Sequence, residues 1–225
     1  AFKESEQSAV ELMHSMISAH SEPVTMVVTG PMTNMAQLLR THPGDAGNIA
    51  EVIFMGGSTE RGNHTPSAEF NTFADPEALQ EVIDSGLPIR MVGLNLTHQA
   101  LAVPEVVQRM TEMDHVIGKT CAEWMGFFGS SYRSVWSFDA PPVHDPCTIA
   151  ALIDPSLITW SRTFLAVEFC PNTRISDSAA HVVCIDTCAH RGNSLEIVHQ
   201  TDSLPVGLVV AATQGFPAVG GACFS

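Results

Sequence analysis

The chain has 225 residues, of which 45% are apolar and 15% charged, and its formal net charge is −14. This composition is typical of a globular protein with a sizeable core and excludes a disordered chain. The acidic excess argues against binding to nucleic acid, whose phosphates require clusters of Lys and Arg, and against an anionic membrane surface. No apolar run approaches the roughly 20 residues that a membrane-spanning helix needs.

The N-terminal half alternates between short apolar strands and amphipathic helices. The predicted elements, in chain order, are a helix over Glu6–His20, a strand over Val24–Val28, a helix from Thr33 to Pro43, a strand over Glu51–Met55, a helix over Pro76–Ser85 and a strand over Ile89–Leu94. Asp75 is the expected N-cap of the helix that Pro76 opens, and Gly86 is its expected C-terminal stop. The strands Val24–Val28 and Glu51–Met55 are predicted to be buried. This alternation predicts an open, mostly parallel α/β sheet flanked by helices.

The second half of the chain gives weaker patterns. The predicted elements are a helix over Pro104–Gly129, a helix that Pro146 opens and Pro155 ends, and two strands of an antiparallel extension over Arg162–Phe169 and His181–Ile185. Beyond Arg191 no regular pattern is legible. We predict a single domain over residues 1–225, of which residues 192–225 form an atypical tail. The six cysteines are too few for a disulfide scaffold, so we expect a reduced, cytoplasmic protein.

A long polar loop, MGGSTERGNHTPSAEFNTFAD, follows the second predicted strand and starts at Met55. Loops of this length in compact domains are usually functional or disordered. Glu69 and Asn71 are two residues apart, which places both side chains on one side of an extended segment. Together with Asn63 they form a donor and acceptor set suited to the vicinal hydroxyls of a ribose. The alternative interpretation is an exposed polar loop without a ligand.

Two other short stretches carry groups that suit a cation. The Gly-Pro turn after the first strand exposes the backbone carbonyl of Thr29, although a plain turn with Thr33 or Asn34 as helix cap explains this stretch better when it is taken alone. Asp145 is either the N-cap of the next helix or a ligand of a hard cation. His144 beside it can act as a proton donor near neutral pH or contact a substrate. Ligands of such sheets bind where the strands end, which is where Thr29 and the polar loop lie.

Taken together, VTGPMTNMAQLL, EVIFMGGSTERGNHTPSAEFNTFADPEA, MVGLNLTHQAL and APPVHDPCTIAALIDPSL strongly resemble the inosine–uridine nucleoside hydrolase family, from about Val24 to Leu157. The ordered motifs GP-x-TN, MGG, GN-x-TP-x-AEFN, DPEA and HDP carry this resemblance. It implies an open α/β fold and hydrolysis of the N-glycosidic bond of ribonucleosides to ribose and free base, with a bound Ca²⁺. Family members commonly form dimers or tetramers, which makes a homo-oligomer one option and leaves the oligomeric state open.

The resemblance assigns roles residue by residue. It makes the backbone carbonyl of Thr29 and the carboxylate of Asp145 calcium ligands, and it places His144 near the base as the acid for the leaving group. The residues that the resemblance places on the ribose are Met55, Asn63, Glu69 and Asn71.

The chain also departs from the family. It has no counterpart of the family's Asp-rich motif, DTDPGxDDA, whose aspartates bind calcium and supply the general base. We therefore expect the fold to be incomplete at its N-terminus and this chain to have little or no activity alone. One rival hypothesis is a catalytically inactive fragment or ribose-binding relic of the same fold. The other is a zinc-binding module, whose ligands would be His181, Cys184, Cys188 and His190.

Overall fold

The structure is a computed structural model that describes residues 5–170, 179–185 and 194–200. Its helices and strands are α1 (Ala9–Ala19), β1 (Val24–Val28), α2 (Thr33–Thr41), β2 (Ile49–Met55), α3 (Phe70–Ala74), α4 (Pro76–Asp84), β3 (Ile89–Val92), α5 (Leu94–Thr97), α6 (Pro104–Glu112), α7 (Val116–Trp136), α8 (Pro146–Ile153), β4 (Thr159–Cys170), β5 (Ala179–Ile185) and β6 (Ser194–Gln200). Two compact units are present. Among the described residues, the first unit contains those up to Leu94 and from Trp160 to Val198, and the second contains Asn95–Thr159, His199 and Gln200.

The strands form one sheet in the order β1-β2-β3-β6-β4-β5. β1, β2, β3 and β6 pair in parallel, whereas β4 and β5 pair antiparallel. Phe54 of β2 lies beside both Val28 of β1 and Met91 of β3, so the first three strands end along one edge. The predicted open, mostly parallel sheet flanked by helices is confirmed, and so is its antiparallel extension.

The core of the first unit is centred on β2. Successive residues of a strand point to opposite faces, and β2 is buried on both of them. Val52 and Phe54 belong to the main apolar cluster with residues of α1, α2 and α4, while Ile53 and Met55 lie on the other face and are equally inaccessible. Burial on both faces is typical of a parallel sheet.

Several predicted boundaries need correction. Val24–Val28 is a strand, but each of its residues is half-buried because β1 lies at the end of the strand order. The third strand ends at Val92, since Leu94–Thr97 forms a short helix. The helix predicted over Pro104–Gly129 is two helices, because His115 adopts an extended backbone and its Nδ1 accepts the Ile117 amide at the start of α7.

The predicted start and stop of α4 are confirmed. Asp75 accepts a hydrogen bond from the Ala78 amide at 3.1 Å, and Gly86 has a φ of +79° directly after the helix. Within the predicted atypical tail, Ser194–Gln200 forms β6 beside β3. Cys188 and His190 of the zinc hypothesis lie outside the described residues. Among the residues that are described, no helix is long and apolar enough to cross a membrane.

Candidate functional site

Two glycines turn the chain out of the sheet at the end of β2. Gly57 has a φ of +70°, a conformation that favours glycine, and its carbonyl accepts the Leu94 amide at 2.9 Å. A Cβ on Gly56 would lie 3.1 Å from the ring of Phe54 and 3.4 Å from the carboxylate of Glu69. The MGG motif therefore lets the backbone pass close to a buried ring and a buried carboxylate.

The loop that follows is held together by hydrogen bonds between its own residues. The Gly62 amide donates to the Pro66 carbonyl at 3.1 Å, and the His64 amide donates to the Ala68 carbonyl at 3.1 Å. The Thr65 hydroxyl accepts the Ala68 amide at 2.9 Å. A Cβ on Gly62 would lie 2.1 Å from the Ala68 carbonyl oxygen, so only glycine fits there. These bonds order the polar loop and set the position of Glu69.

Glu69 is buried at the start of α3, where its side chain caps the helix. The expectation that Glu69 and Asn71 share an extended segment is wrong, because α3 begins at Phe70. One carboxylate oxygen accepts the Asn71 amide at 3.0 Å, and the other accepts the amides of Gly57 at 3.0 Å and Thr72 at 3.2 Å. Desolvation raises the pKa of Glu69, and the three amides oppose that shift.

The structure brings Met55, Asn63 and Asn71 to the same place. The side-chain oxygen of Asn63 accepts the Phe70 amide at 2.9 Å, and the side-chain nitrogen of Asn71 donates to the Met55 carbonyl at 3.1 Å. Among the described residues, the Asn63 side-chain nitrogen and the Asn71 side-chain oxygen have no protein partner. Four of the predicted site residues, Met55, Asn63, Glu69 and Asn71, thus form one cluster, which we call the Glu69 cluster.

Thr29 lies at the end of β1 and is exposed. The expected capping of α2 by Thr33 or Asn34 is wrong, because the N-cap position belongs to Met32, which makes no side-chain capping bond. The Thr33 hydroxyl instead donates to Asp75 at the start of α4.

His144 and Asp145 lie in the second unit, where a short backbone bridge sets the position of His144. Leu101 and Pro142 form an isolated antiparallel bridge. Beside it, the Ala102 amide donates to the Pro141 carbonyl at 2.8 Å, and the Val143 amide donates to the Ala100 carbonyl at 2.7 Å. This bridge ties the chain just before His144 to the chain just after α5.

Both ring nitrogens of His144 are hydrogen-bonded. Nδ1 lies 2.8 Å from the Thr97 hydroxyl, and Nε2 lies 2.8 Å from the Tyr132 hydroxyl. Aromatic rings surround this group, which we call the His144 network; the rings within contact distance of His144 are those of His98, Phe128 and Tyr132. Burial, and next the charge of His98, lower the pKa of His144 to about 4. The imidazole is therefore uncharged near neutral pH.

Asp145 is exposed and occupies the N-cap position of α8 without making a side-chain capping bond. Its backbone carbonyl accepts the Thr148 amide at 3.0 Å and the Thr148 hydroxyl at 2.6 Å. The interpretation of its carboxylate as a helix cap is therefore not supported by a hydrogen bond.

A calcium ion needs more oxygen ligands than the predicted pair supplies. Ca²⁺ takes about six to eight oxygens, whereas the prediction offers one carbonyl and one carboxylate, from Thr29 and Asp145. Within the part of the chain that the structure describes, no three His, Cys, Asp or Glu side chains lie close enough to hold a metal. The described residues do not by themselves fit a complete calcium site.

Two residues of the His144 network, Thr97 and Tyr132, were not predicted as site residues. Thr97 follows β3 in the stretch GLNLTHQAL, and Tyr132 lies on α7, which passes so close to Pro141 that a Cβ on Gly129 would lie 3.2 Å from the proline ring. The signal available for Thr97 was its place after a strand at the ligand-binding edge. No sequence signal separated Tyr132 from the other aromatic residues of α7.

The fold and the Glu69 cluster define a class of protein: an open α/β sheet with polar groups for a small ligand at the carboxyl ends of its parallel strands. Comparison with known proteins refines this class. The family model described as inosine-uridine preferring nucleoside hydrolase matches residues 1–204. The chain therefore belongs to the inosine-uridine preferring nucleoside hydrolase family.

Curated relatives include pyrimidine-specific ribonucleoside hydrolases named RihA. The protein from Enterobacter sp. (strain 638) is 45% identical over 168 residues, which are 74% of this chain and 54% of the relative. The protein from Shewanella woodyi is 43% identical over 169 residues, 75% of this chain and 54% of the relative. The chain thus spans about half the length of these relatives.

Solved structures of the family share the fold. The plant nucleoside hydrolase PpNRh1 superposes with a TM-score of 0.80 at 25% identity, covering 94% of this chain and 68% of the plant protein. A purine-preferring ribonucleoside hydrolase from Gardnerella vaginalis gives a TM-score of 0.81 at 24% identity, covering 94% of this chain and 67% of that one. Because the Gardnerella protein is only 24% identical to this chain, its similarity supports a shared fold and nothing further.

Proposed function

We propose that this chain binds the ribose of a ribonucleoside with its Glu69 cluster and takes part in hydrolysis of the N-glycosidic bond to ribose and free base. The observation that carries the proposal is the convergence of Asn63, Glu69 and Asn71 at the end of β2. The names of the curated relatives favour pyrimidine ribonucleosides as substrates. A homo-oligomer remains an expectation from the family resemblance, and a cytoplasmic location remains an expectation from the cysteine count.

The geometry of the cluster suits sugar recognition. Carboxamide groups can donate to and accept from hydroxyls, and the Asn63 nitrogen and Asn71 oxygen are the groups of the cluster that face no protein partner among the described residues. Glu69 holds Gly57 and the first turn of α3 in place, which fixes Asn71. When ionised, its carboxylate also places negative charge near a sugar that becomes positively charged as the base departs.

The His144 network is proposed to act on the base. A departing base carries negative charge, and a hydrogen bond to it lowers the energy of the transition state. Because His144 is uncharged near neutral pH, it would act through its hydrogen bond to the Tyr132 hydroxyl rather than as an imidazolium. His144 is thus proposed to assist the leaving group by way of Tyr132.

The proposal includes two ligands of a calcium ion. We propose the Thr29 carbonyl and the Asp145 carboxylate as two of its ligands, as the family resemblance implies. These two oxygens fall short of the roughly six to eight that the ion takes. A specific observation therefore favours a second candidate function, ribose binding without turnover: the described residues hold no cluster of three metal-ligating side chains.

Ribose release and ligand binding, measured side by side, separate the two functions. The purified chain is incubated with uridine, cytidine and inosine in calcium-containing buffer, reducing sugar is quantified, and binding is measured by calorimetry. Release above the rate with Asp145→Asn supports hydrolysis. Binding of uridine without release supports the ribose-binding function. Neither binding nor release at millimolar nucleoside contradicts both.

A further inference from the structure

A chain of hydrogen bonds runs from Thr97 through His144 to Tyr132 inside the second unit. Both contacts to the imidazole measure 2.8 Å. A neutral imidazole carries one proton, so one ring nitrogen donates and the other accepts, whereas a hydroxyl can do either. The hydroxyl that has fewer alternative hydrogen-bond partners therefore decides which ring nitrogen donates and which accepts.

Thr97 is the more constrained of the two hydroxyls. Its side chain is completely buried, at 0% exposure, and it lies at the end of α5. Within residues 5–170, 179–185 and 194–200, its hydroxyl has one hydrogen-bond partner, His144 Nδ1. If Nδ1 carried the proton, the Thr97 hydroxyl proton would be left buried without an acceptor, which is unfavourable. Donation from Thr97 to Nδ1 avoids that cost.

The backbone holds this contact in place. The hydrogen bonds between Ala100 and Val143 and between Ala102 and Pro141 join the two segments that carry Thr97 and His144. The two side chains, 47 positions apart in the sequence, are thus held together by backbone hydrogen bonds beside them. Nearby aromatic rings reduce the local polarity, which strengthens a well-aligned hydrogen bond.

We propose that Thr97 is a positioning residue that donates its hydroxyl proton to Nδ1 and holds His144 as the Nε2–H tautomer. The Nε2–H group then donates to the Tyr132 oxygen, and the phenol proton is turned away from the imidazole. The consequence for catalysis rests on the proposed function: Tyr132, rather than His144, presents its proton to the departing base. The tautomer itself is a property of the protein without ligand.

Nitrogen-15 NMR of the histidine rings reads the tautomer directly. The chain is labelled on histidine and studied at pH 8, where an imidazole of ordinary pKa is also uncharged. His144→Gln assigns the His144 signals among the ten histidines. Thr97→Val removes the hydroxyl at nearly constant volume, Thr97→Ser retains it, and Tyr132→Phe removes the other hydroxyl.

We expect the Nε2–H pattern for His144 in the unaltered chain, in Thr97→Ser and in Tyr132→Phe, and loss of that pattern in Thr97→Val. The Nδ1–H pattern in the unaltered chain would overturn the proposal, as would an Nε2–H pattern that persists in Thr97→Val. A change of tautomer in Tyr132→Phe would assign control to Tyr132 and also overturn it. If Thr97→Val does not fold, the unaltered chain and Tyr132→Phe still decide. Absence of hydrolase activity would leave these signals unaffected, so the two proposals fail separately.

Discussion

The Glu69 cluster and the His144 network are assembled in different ways. The cluster is local: its members come from the last residue of β2 and from the loop and helix that follow, and most of its hydrogen bonds join side chains to backbone amides. The network is long-range: it joins side chain to side chain, and Thr97 and His144 are 47 positions apart in the sequence. A local cluster leaves a readable motif in the sequence, whereas a long-range network depends on how distant segments pack.

The largest effect is expected from removing the centre of the local cluster. Glu69→Ala leaves the buried Gly57 amide and the first amides of α3 without their acceptor, which should destabilise the first unit by about 4 kcal/mol. Urea unfolding monitored by circular dichroism measures this loss. Thr97→Ala, which removes one side-chain bond of the long-range network, serves as the comparison and should cost clearly less. An equal cost for both would contradict the central structural role of Glu69.

Substitution of one glycine in the polar loop, Gly62, should destabilise the protein. In Gly62→Ala the added Cβ overlaps the Ala68 carbonyl, so the loop must rearrange at a cost of about 2–3 kcal/mol. Gly44→Ala is the matched control, because a Cβ there meets nothing within 4 Å. Thermal unfolding of the two variants compares them. Equal thermal unfolding midpoints for Gly62→Ala and Gly44→Ala would show that Gly62 does not pack against the Ala68 carbonyl as described.

The fold was largely predictable because its signals are local. Alternating strands and helices, Asp75 as a cap and Gly86 as a stop follow from neighbouring residues. The role of Glu69 as a helix cap was not predicted, because five-residue α3 is too short for its periodicity to stand out, and the segment therefore read as extended. Thr97 was missed for another reason: nothing near it in sequence indicates that His144 lies within hydrogen-bond distance.

Substitution of Asn71 should lower both the stability of the protein and its affinity for uridine, and the two effects can be measured separately. Asn71→Ala removes the bond to the Met55 carbonyl, which should cost about 1 kcal/mol of stability. Because the same side chain is proposed to contact a ribose hydroxyl, affinity for uridine should fall about tenfold, which corresponds to ~1.4 kcal/mol. Calorimetric titration with uridine checks this, with Asn48→Ala on the exposed surface as control. Unchanged affinity in Asn71→Ala would remove Asn71 from the proposed site.

The smallest effect concerns pH. Because burial raises the pKa of Glu69 in the folded state, the associated stabilisation is fully present below the ordinary glutamate value of about 4.3 and is lost as pH rises through the folded pKa. The unaltered chain should therefore lose more stability between pH 4 and pH 7 than Glu69→Gln, which cannot ionise. Urea midpoints across that range test the difference. Parallel curves for the two proteins would show that Glu69 does not titrate as described.

Recognition of sugar hydroxyls by the Glu69 cluster is tested most directly by NMR of the asparagine side-chain amides. The labelled chain is titrated with uridine and, as a matched control, with 2′,3′-dideoxyuridine, which lacks the vicinal hydroxyls. We expect the amide signals of Asn63 and Asn71 to shift with uridine and to stay in place with the dideoxy compound. Equal shifts with both ligands, or no shift with uridine at millimolar concentration, would contradict ribose binding at this cluster.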